Sequence, residues 1–321
     1  MTTPTRILIT GGLGQVGSEL YQALCTQYGE DNILLTDVRK PENHTVALFE
    51  TLDATDAPRL AELVSKHKIT QIYHLAAILS ARGEQDPLWA WKINMDSTLN
   101  VFEVAREKQL HKVYVPSSIA AFGPDTPKQN TPQACVMNPS TVYGISKQAC
   151  ERWGEYYFKR YGLDIRSLRY PGLISYKTLP GGGTTDYAVD IFYKALQQGS
   201  YECFLSPDTY LPMMYMPDAI RATVALMEAP SDNIRTRDSY NLTALSFSPA
   251  ELAKAIQQHL PDFTISYKPD FRQQIADSWP ASIDDSVAQA EWGWQPQYDL
   301  EAMVAEMLEH IRTKLQKTVD A

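Results

Sequence analysis

Apolar residues fall into short runs separated by longer stretches of helical spacing. Arg6-Ile7-Leu8-Ile9-Thr10 has strand length, and Val16 to Tyr28 repeats its apolar positions every three or four residues, as a helix does. Asn32 to Asp37 predicts a second strand, one that ends in a carboxylate. The alternation continues with a helix from about Ala57 to His67, a strand at Gln71 to Leu75 and a helix from about Trp89 to Lys108. It closes with a strand at Lys112 to Val115, a helix from about Val142 to Tyr161 and a strand at Asp164 to Arg169. Strands joined by helices predict an α/β fold: a doubly wound parallel sheet with helices on both faces.

Regularity ends near Pro171, and from there to about Thr209 the chain is rich in Gly, Pro and aromatic residues. Beyond about Phe247 a compact acidic segment closes with a helix from about Leu300 to Leu315, while Pro212 to Glu228 reads as a return to the first lobe. The expected organisation is a sheet domain over residues 1–170, rejoined by 210–245, and a smaller C-terminal substrate-binding lobe from 171–209 and 246–321. Open α/β sheets bind ligands at the carboxyl edge of their strands, so the smaller lobe is expected there.

Composition narrows the picture by exclusion. At 321 residues, 44% hydrophobic and 21% charged, the chain is an ordinary globular protein with no apolar run long enough to span a bilayer. No basic, apolar and small-residue leader precedes the first strand, so a cytoplasmic protein is expected, without a membrane role. Cys25, Cys135, Cys150 and Cys203 are scattered, with no C-x-x-C pair, and suggest neither a disulfide framework nor a metal site. A net charge of -9 argues against a general nucleic-acid surface, which needs clustered cations.

The first chemistry lies in Gly11-Gly12-Leu13-Gly14-Gln15-Val16-Gly17, between the first strand and the first helix. Gly11 suits a tight turn, Gly14 leaves room for a pyrophosphate, and Gly17 allows close helix packing, while Gln15 and Val16 open a helix whose first amides face the anion. This is the pattern of a Rossmann dinucleotide-binding domain. Asp37 closes the next strand 20 residues beyond Gly17, where a carboxylate accepts both ribose hydroxyls and repels a 2'-phosphate. The cofactor is therefore expected to be NAD rather than NADP, with Arg39 two residues on as a moderating cation. Asp53 and Ala54 fall where a third strand should end near the adenine; a helix cap is the alternative reading of Asp53.

Tyr143-Gly144-Ile145-Ser146-Lys147 puts a phenol and an ammonium on one helix face. The spacing alone also fits surface packing. Chemically, a phenol is a poor base at neutral pH, and an adjacent cation together with an oxidised nicotinamide favours the phenolate. With the glycine run, Asp37 and the serines of Val115-Pro116-Ser117-Ser118-Ile119, the pair resembles the extended short-chain dehydrogenase/reductase family over essentially the whole chain. That resemblance implies Tyr143 as acid/base, Lys147 on the nicotinamide ribose and Ser118 on the reacting oxygen, with Ser117 beside it as a further substrate-binding residue. It also implies that Leu75, Ala76 and Ala77 line the nucleotide, that Asn94 is the family's helix asparagine, and that Tyr170, Pro171 and Leu173 face the carboxamide.

Within that family, nucleotide-sugar epimerases and dehydratases usually carry an Asn pair and a late Arg-Pro-x-Asp, and this chain has neither. A diphosphate without Arg would be poorly neutralised. Gly183-Thr184-Thr185-Asp186-Tyr187-Ala188, Ser278-Trp279-Pro280 and Asp284-Asp285-Ser286 before Trp292-Gly293-Trp294 are similar to the short-chain type of L-threonine 3-dehydrogenases. The resemblance implies oxidation of L-threonine to 2-amino-3-ketobutyrate. Asp186 suits an ammonium, Thr185 and Ser80 suit a carboxylate, and Trp279 suits closure against water; helix capping for Asp186 and core packing for Trp279 are the alternatives. The three glycines at 181–183 invite a mobile loop. A UDP-sugar 4-epimerase and a non-catalytic NAD sensor are the competing functions. Aromatic and aliphatic faces around 89–108 and 142–161 (Trp89, Phe102, Trp153, Tyr157) imply a homodimer through this helix pair, with burial inside the monomer as the alternative.

Overall fold

A computed structural model describes residues 4–41, 46–179, 181 and 183–319. Pro180 and Gly182 of the glycine run lie outside the described residues. The chain divides into two compact units, the first made of 1–121, 141–169 and 220–240, the second of 122–140, 170–219 and 241–321.

The first unit is built on five strands, with helices after the first, third and fourth: β1 (Ile7–Thr10), β2 (Ile33–Asp37), β3 (Phe49–Thr51), β4 (Gln71–His74) and β5 (Lys112–Tyr114). After the short strand β6 (Ser117–Ser118), β7 (Ile165–Arg166) completes a six-stranded sheet of order β3-β2-β1-β4-β5-β7, parallel throughout. The doubly wound α/β reading is thus borne out. Every residue of β1, β2 and β4 is buried, as expected of parallel strands covered on both faces. Leu8, Leu34, Ile72, Val113 and Ile165 from five of these strands join Leu60, Leu63, Val101, Phe102 and Tyr157 in one core.

Several helices of this unit begin where the sequence supplies a cap. Asp56 accepts from the Arg59 amide at the start of α2 (Ala57–Lys66), and Thr141 accepts from the Gly144 amide at the start of α5 (Val142–Tyr161). The first helix, α1 (Gln15–Tyr28), begins at Gly14 with no side-chain cap. A helical turn α3 (Ser80–Gly83) precedes α4 (Pro87–Glu107), which Asp86 caps. Ile165 lies so close to α5 that a Cβ on Gly154 would sit 3.2 Å from its Cγ2.

The strand expected over Asp164 to Arg169 is divided into β7 and β8 (Leu168–Tyr170), and β8 joins β6 and β12 (Tyr240–Asn241) in a separate sheet. At the break the Ser167 carbonyl accepts the Tyr240 amide (3.0 Å). The arginines on either side are buried and paired, Arg166 with Asp164 and the carbonyls of Leu226 and Ala229, and Arg169 with Glu151.

The second unit holds β9 (Gly172–Ile174), β11 (Leu211–Tyr215) and β13 (Leu245–Phe247) in one sheet and pairs β10 (Ser200–Cys203) with β14 (Thr264–Tyr267). Its helices are α6 (Tyr187–Gln198), the start of α7 (Met216–Glu228), α8 (Pro249–His259), α9 (Arg272–Ser278), α10 (Ser286–Trp292) and α11 (Leu300–Val319). Residues 122–140 count with this unit because they pair with 281–284: Ala281 donates to Lys128 (2.8 Å), Thr131 to Ser282 (3.0 Å) and Asp284 to Thr131 (3.0 Å). No helix among the described residues is long and apolar enough to cross a membrane.

Candidate active site

The turn from β1 into α1 is shaped for a dinucleotide. Gly11 has φ +65°, and a Cβ there would lie 2.7 Å from the Ala76 amide; a Cβ on Gly17 would lie 2.6 Å from the Gly11 carbonyl. Only glycine permits both the turn and the contact. Gly14 meets nothing but the Gly11 carbonyl at 3.2 Å, and the uncapped N-terminus of α1, with no acidic residue in its first turn, leaves its amides for an anion. The residues present therefore fit a pyrophosphate.

Asp37, buried at the end of β2, receives the Leu13 amide on Oδ2 (3.1 Å) and the Arg39 amide on Oδ1 (3.1 Å). Arg39 also lays its exposed guanidinium against Oδ1 at 3.4 Å, which fixes the carboxylate beside the glycine turn. Asp53, by contrast, is exposed and takes the amide and hydroxyl of Thr55, while the cap of α2 is Asp56. Ala54 is buried next to it.

Leu75, Ala76 and Ala77 follow β4, partly buried. Asn94 of α4 holds this segment by both of its amide atoms, accepting from the Ile78 amide (2.7 Å) and donating to the Ile78 carbonyl (3.0 Å). It also donates to Ser146, whose hydroxyl bonds to the Tyr143 carbonyl. At the end of β4, His74 is wholly buried between Thr10 Oγ1 (2.8 Å) and Ser97 Oγ (3.3 Å). Burial, with the Lys147 cation nearby, pushes the imidazole down to about 3, so the ring is neutral at physiological pH.

Tyr143 and Lys147 stand one turn apart on α5. Lys147, buried, donates to the Pro116 carbonyl at 2.7 Å, and its ammonium lies 5.5 Å from the centre of the Tyr143 ring. Ser118, half-buried on β6, accepts the Ala120 amide (3.2 Å). Ser117 is buried and donates its hydroxyl to Glu151, one turn beyond Lys147. Ser80 opens the turn α3, half-buried.

The remaining sequence candidates belong to the second unit. Tyr170 and Pro171 are buried, and Leu173 pairs with Met214 across β9 and β11. Thr185 packs on Gly172, where an added Cβ would meet its side chain at 2.8 Å. Asp186 makes no side-chain cap to α6; its Oδ2 accepts the amides of Gly181 (2.6 Å) and Gly183 (2.9 Å) and so braces the glycine turn. Trp279 is buried, its carbonyl receiving Lys128 Nζ at 3.2 Å. The Asp-Asp-Ser and Trp-Gly-Trp pieces close on each other, because Trp294 Nε1 donates to Asp285 Oδ2 at 2.8 Å.

Glu151, Arg169, His74 and Ser146 are absent from the sequence-based set. For Glu151 a signal was available: Tyr143, Lys147 and Glu151 lie at i, i+4 and i+8, one face of one helix. His74 sits at the end of an apolar strand and carried no spacing signal.

Sheet order, glycine turn and strand-end carboxylate define a dinucleotide-binding α/β domain of the extended short-chain dehydrogenase/reductase type. The chain belongs to the NAD-dependent epimerase/dehydratase family, whose pattern matches residues 7–243, and its cofactor is NAD. An uncharacterized epimerase/dehydratase of Staphylococcus saprophyticus is 51% identical over 313 residues, spanning 96% of this chain and 98% of that protein. Among solved structures, a GalE-like L-threonine dehydrogenase from Cupriavidus necator in its holo form is 57% identical, with a TM-score of 0.94 over 95% of this chain and 99% of that one. A monomeric L-threonine 3-dehydrogenase from a metagenome is 48% identical, with a TM-score of 0.93 over 96% of this chain and 99% of that one.

Proposed function

We propose that this enzyme is an L-threonine 3-dehydrogenase, oxidising the secondary alcohol of L-threonine to 2-amino-3-ketobutyrate. The observation that carries the reading is Lys147, buried and bonded to the carbonyl of Pro116, with its ammonium 5.5 Å from the Tyr143 ring and Ser118 two residues further along the chain from Pro116. The identity of the structural relatives supports the choice of substrate.

Tyr143, one helix turn from Lys147, takes the hydroxyl proton as general base, and Ser118 donates a hydrogen bond to the same oxygen. NAD, when bound, accepts the carbon-bound hydrogen as hydride. The turn at Gly11, Gly14 and Gly17 would hold the pyrophosphate, Asp37 the adenosine ribose and Lys147 the nicotinamide ribose. Ser80 and Thr185 are proposed for the substrate carboxylate, Trp279 for exclusion of water, and Asp186 Oδ1, which takes neither glycine amide, for the ammonium. We further propose that two copies pair through α4 and α5.

The test is NADH absorbance on incubation with NAD and, separately, L-threonine, D-threonine, L-allo-threonine, L-serine and UDP-sugars. L-Threonine should give NADH, and Tyr143→Phe should lower that turnover about 10²- to 10⁴-fold while NAD still binds. Silence on L-threonine, or wild-type turnover by Tyr143→Phe, overturns the reading. Conversion of a UDP-sugar without NADH release would point to an epimerase instead.

A further inference from the structure

Helix α5 holds the segment that leads into Ser118 at two consecutive residues. Lys147 Nζ donates to the Pro116 carbonyl at 2.7 Å, and the Ser117 hydroxyl donates to Glu151 Oε1. Tyr143, Lys147 and Glu151 occupy successive turns of the same helix face, so the strand and the helix are fastened in one register.

Glu151 is itself fixed from the other side. Arg169 meets it with both prongs, Nε to Oε1 at 3.0 Å and Nη2 to Oε2 at 2.8 Å, and the two side chains are 1% and 2% exposed. A carboxylate this deeply buried is tolerable only when paired, and a two-point guanidinium contact sets its orientation as well as its charge. Asp238, 3.4 Å from Arg169 Nη2 and 26% exposed, supplies a second anion towards solvent. Glu151 Oε1 is therefore a rigid acceptor with its direction fixed before Ser117 binds it.

We propose that Glu151, pinned by Arg169, is a positioning residue that acts through Ser117 to set Ser118 against Tyr143. Ser117 then serves the helix rather than the substrate. The inference rests on the roles of Ser118 and Tyr143 proposed above. Its physical basis is the sensitivity of an oriented reaction to placement: a shift of about 1 Å costs about 10²-fold in rate.

The experiment compares Ser117→Ala, Glu151→Gln, the double variant and Ser118→Ala, reading kcat per NAD-binding site, KM for L-threonine and Kd for NAD. Ser117→Ala leaves the Glu151–Arg169 pair intact and should lower kcat about tenfold or more, with the KM and the Kd within about threefold of wild type. Glu151→Gln should fall at least as far, and the double variant should be no slower than Glu151→Gln, because the two residues act as one unit. A substrate-binding role for Ser117 would instead raise KM and multiply with Glu151→Gln, which overturns the proposal. So would unchanged kcat in Ser117→Ala alongside a large loss in Ser118→Ala; that comparison decides the matter even if Glu151→Gln does not fold. Wild-type turnover in both Ser118→Ala and Tyr143→Phe would defeat the underlying catalytic reading rather than this refinement of it.

Discussion

At the residue scale, Asp37 is the carboxylate proposed to meet the adenosine ribose. Its oxygens are aimed by the Leu13 and Arg39 amides, and the Arg39 guanidinium rests on Oδ1 while remaining largely exposed. A ribose diol can hydrogen-bond to this group, whereas a phosphate ester on the same ribose would meet like charge. Asp37→Ala should raise the KM for NAD about 10- to 100-fold, the cost of losing hydrogen bonds to a charged acceptor. The same change releases Arg39 to meet a 2'-phosphate, so relative use of NADP should rise. Steady-state kinetics with both nucleotides checks this, and an unchanged ratio would remove Asp37 from the selective role.

At the element scale, α4 and α5 illustrate why a helix face must be divided before it is assigned to a partner. Phe102 and Tyr157, counted by sequence with the dimer surface, are buried in the first unit with ring centres 5.2 Å apart, and the Tyr157 hydroxyl bonds to Glu103. What the pair leaves outside is Leu88, Trp91, Ile145, Trp153, Tyr156 and Tyr161, between 39% and 83% exposed. Apolar side chains of this size gathered on two adjacent helices support the proposed pairing of two copies. Sedimentation should therefore give twice the chain mass, and Trp153→Asp with Tyr156→Asp should return it to the monomer mass. A wild-type protein that sediments as a monomer at micromolar concentration would refute the dimer, as would a double variant that stays dimeric.

At the scale of the whole molecule, buried ionisable groups set the response to acid. His74 binds its proton near pH 6.5 when unfolded, but burial and the Lys147 cation push it to about 3 in the folded protein. Between these values the unfolded chain binds more protons, so stability rises with pH across the window and is lost as pH falls below about 6.5. The loss from pH 7 to pH 5 should be about 2 kcal/mol. Asp164 acts lower: burial raises it, but Arg166, Ser231 and Arg237 more than offset this and hold it at about 2, so its contribution is lost only as pH falls from 3.8 towards that value. Urea denaturation at pH 5, 6 and 7 should show the His74 slope, and His74→Gln should flatten it; an equal slope in the variant would assign the acid response elsewhere.

Legibility from sequence followed the range of the interaction. The alternation of strands and helices, the glycine turn and the full extent of α5 from Val142 to Tyr161 could be read directly, because burial with a period of 2 or 3.6 and a cap such as Thr141 are written within a few residues. So could the Tyr143 and Lys147 pair, which shares one helix turn. The tertiary structure alone decided that β8 leaves the main sheet, that 122–140 pairs with 281–284, that Ser117 bonds to Glu151 and that His74 is neutral. In each case a buried polar group or backbone segment takes a partner distant along the chain. Local periodicity states that such a group is inside, and only the folded arrangement supplies the partner that makes burial tolerable.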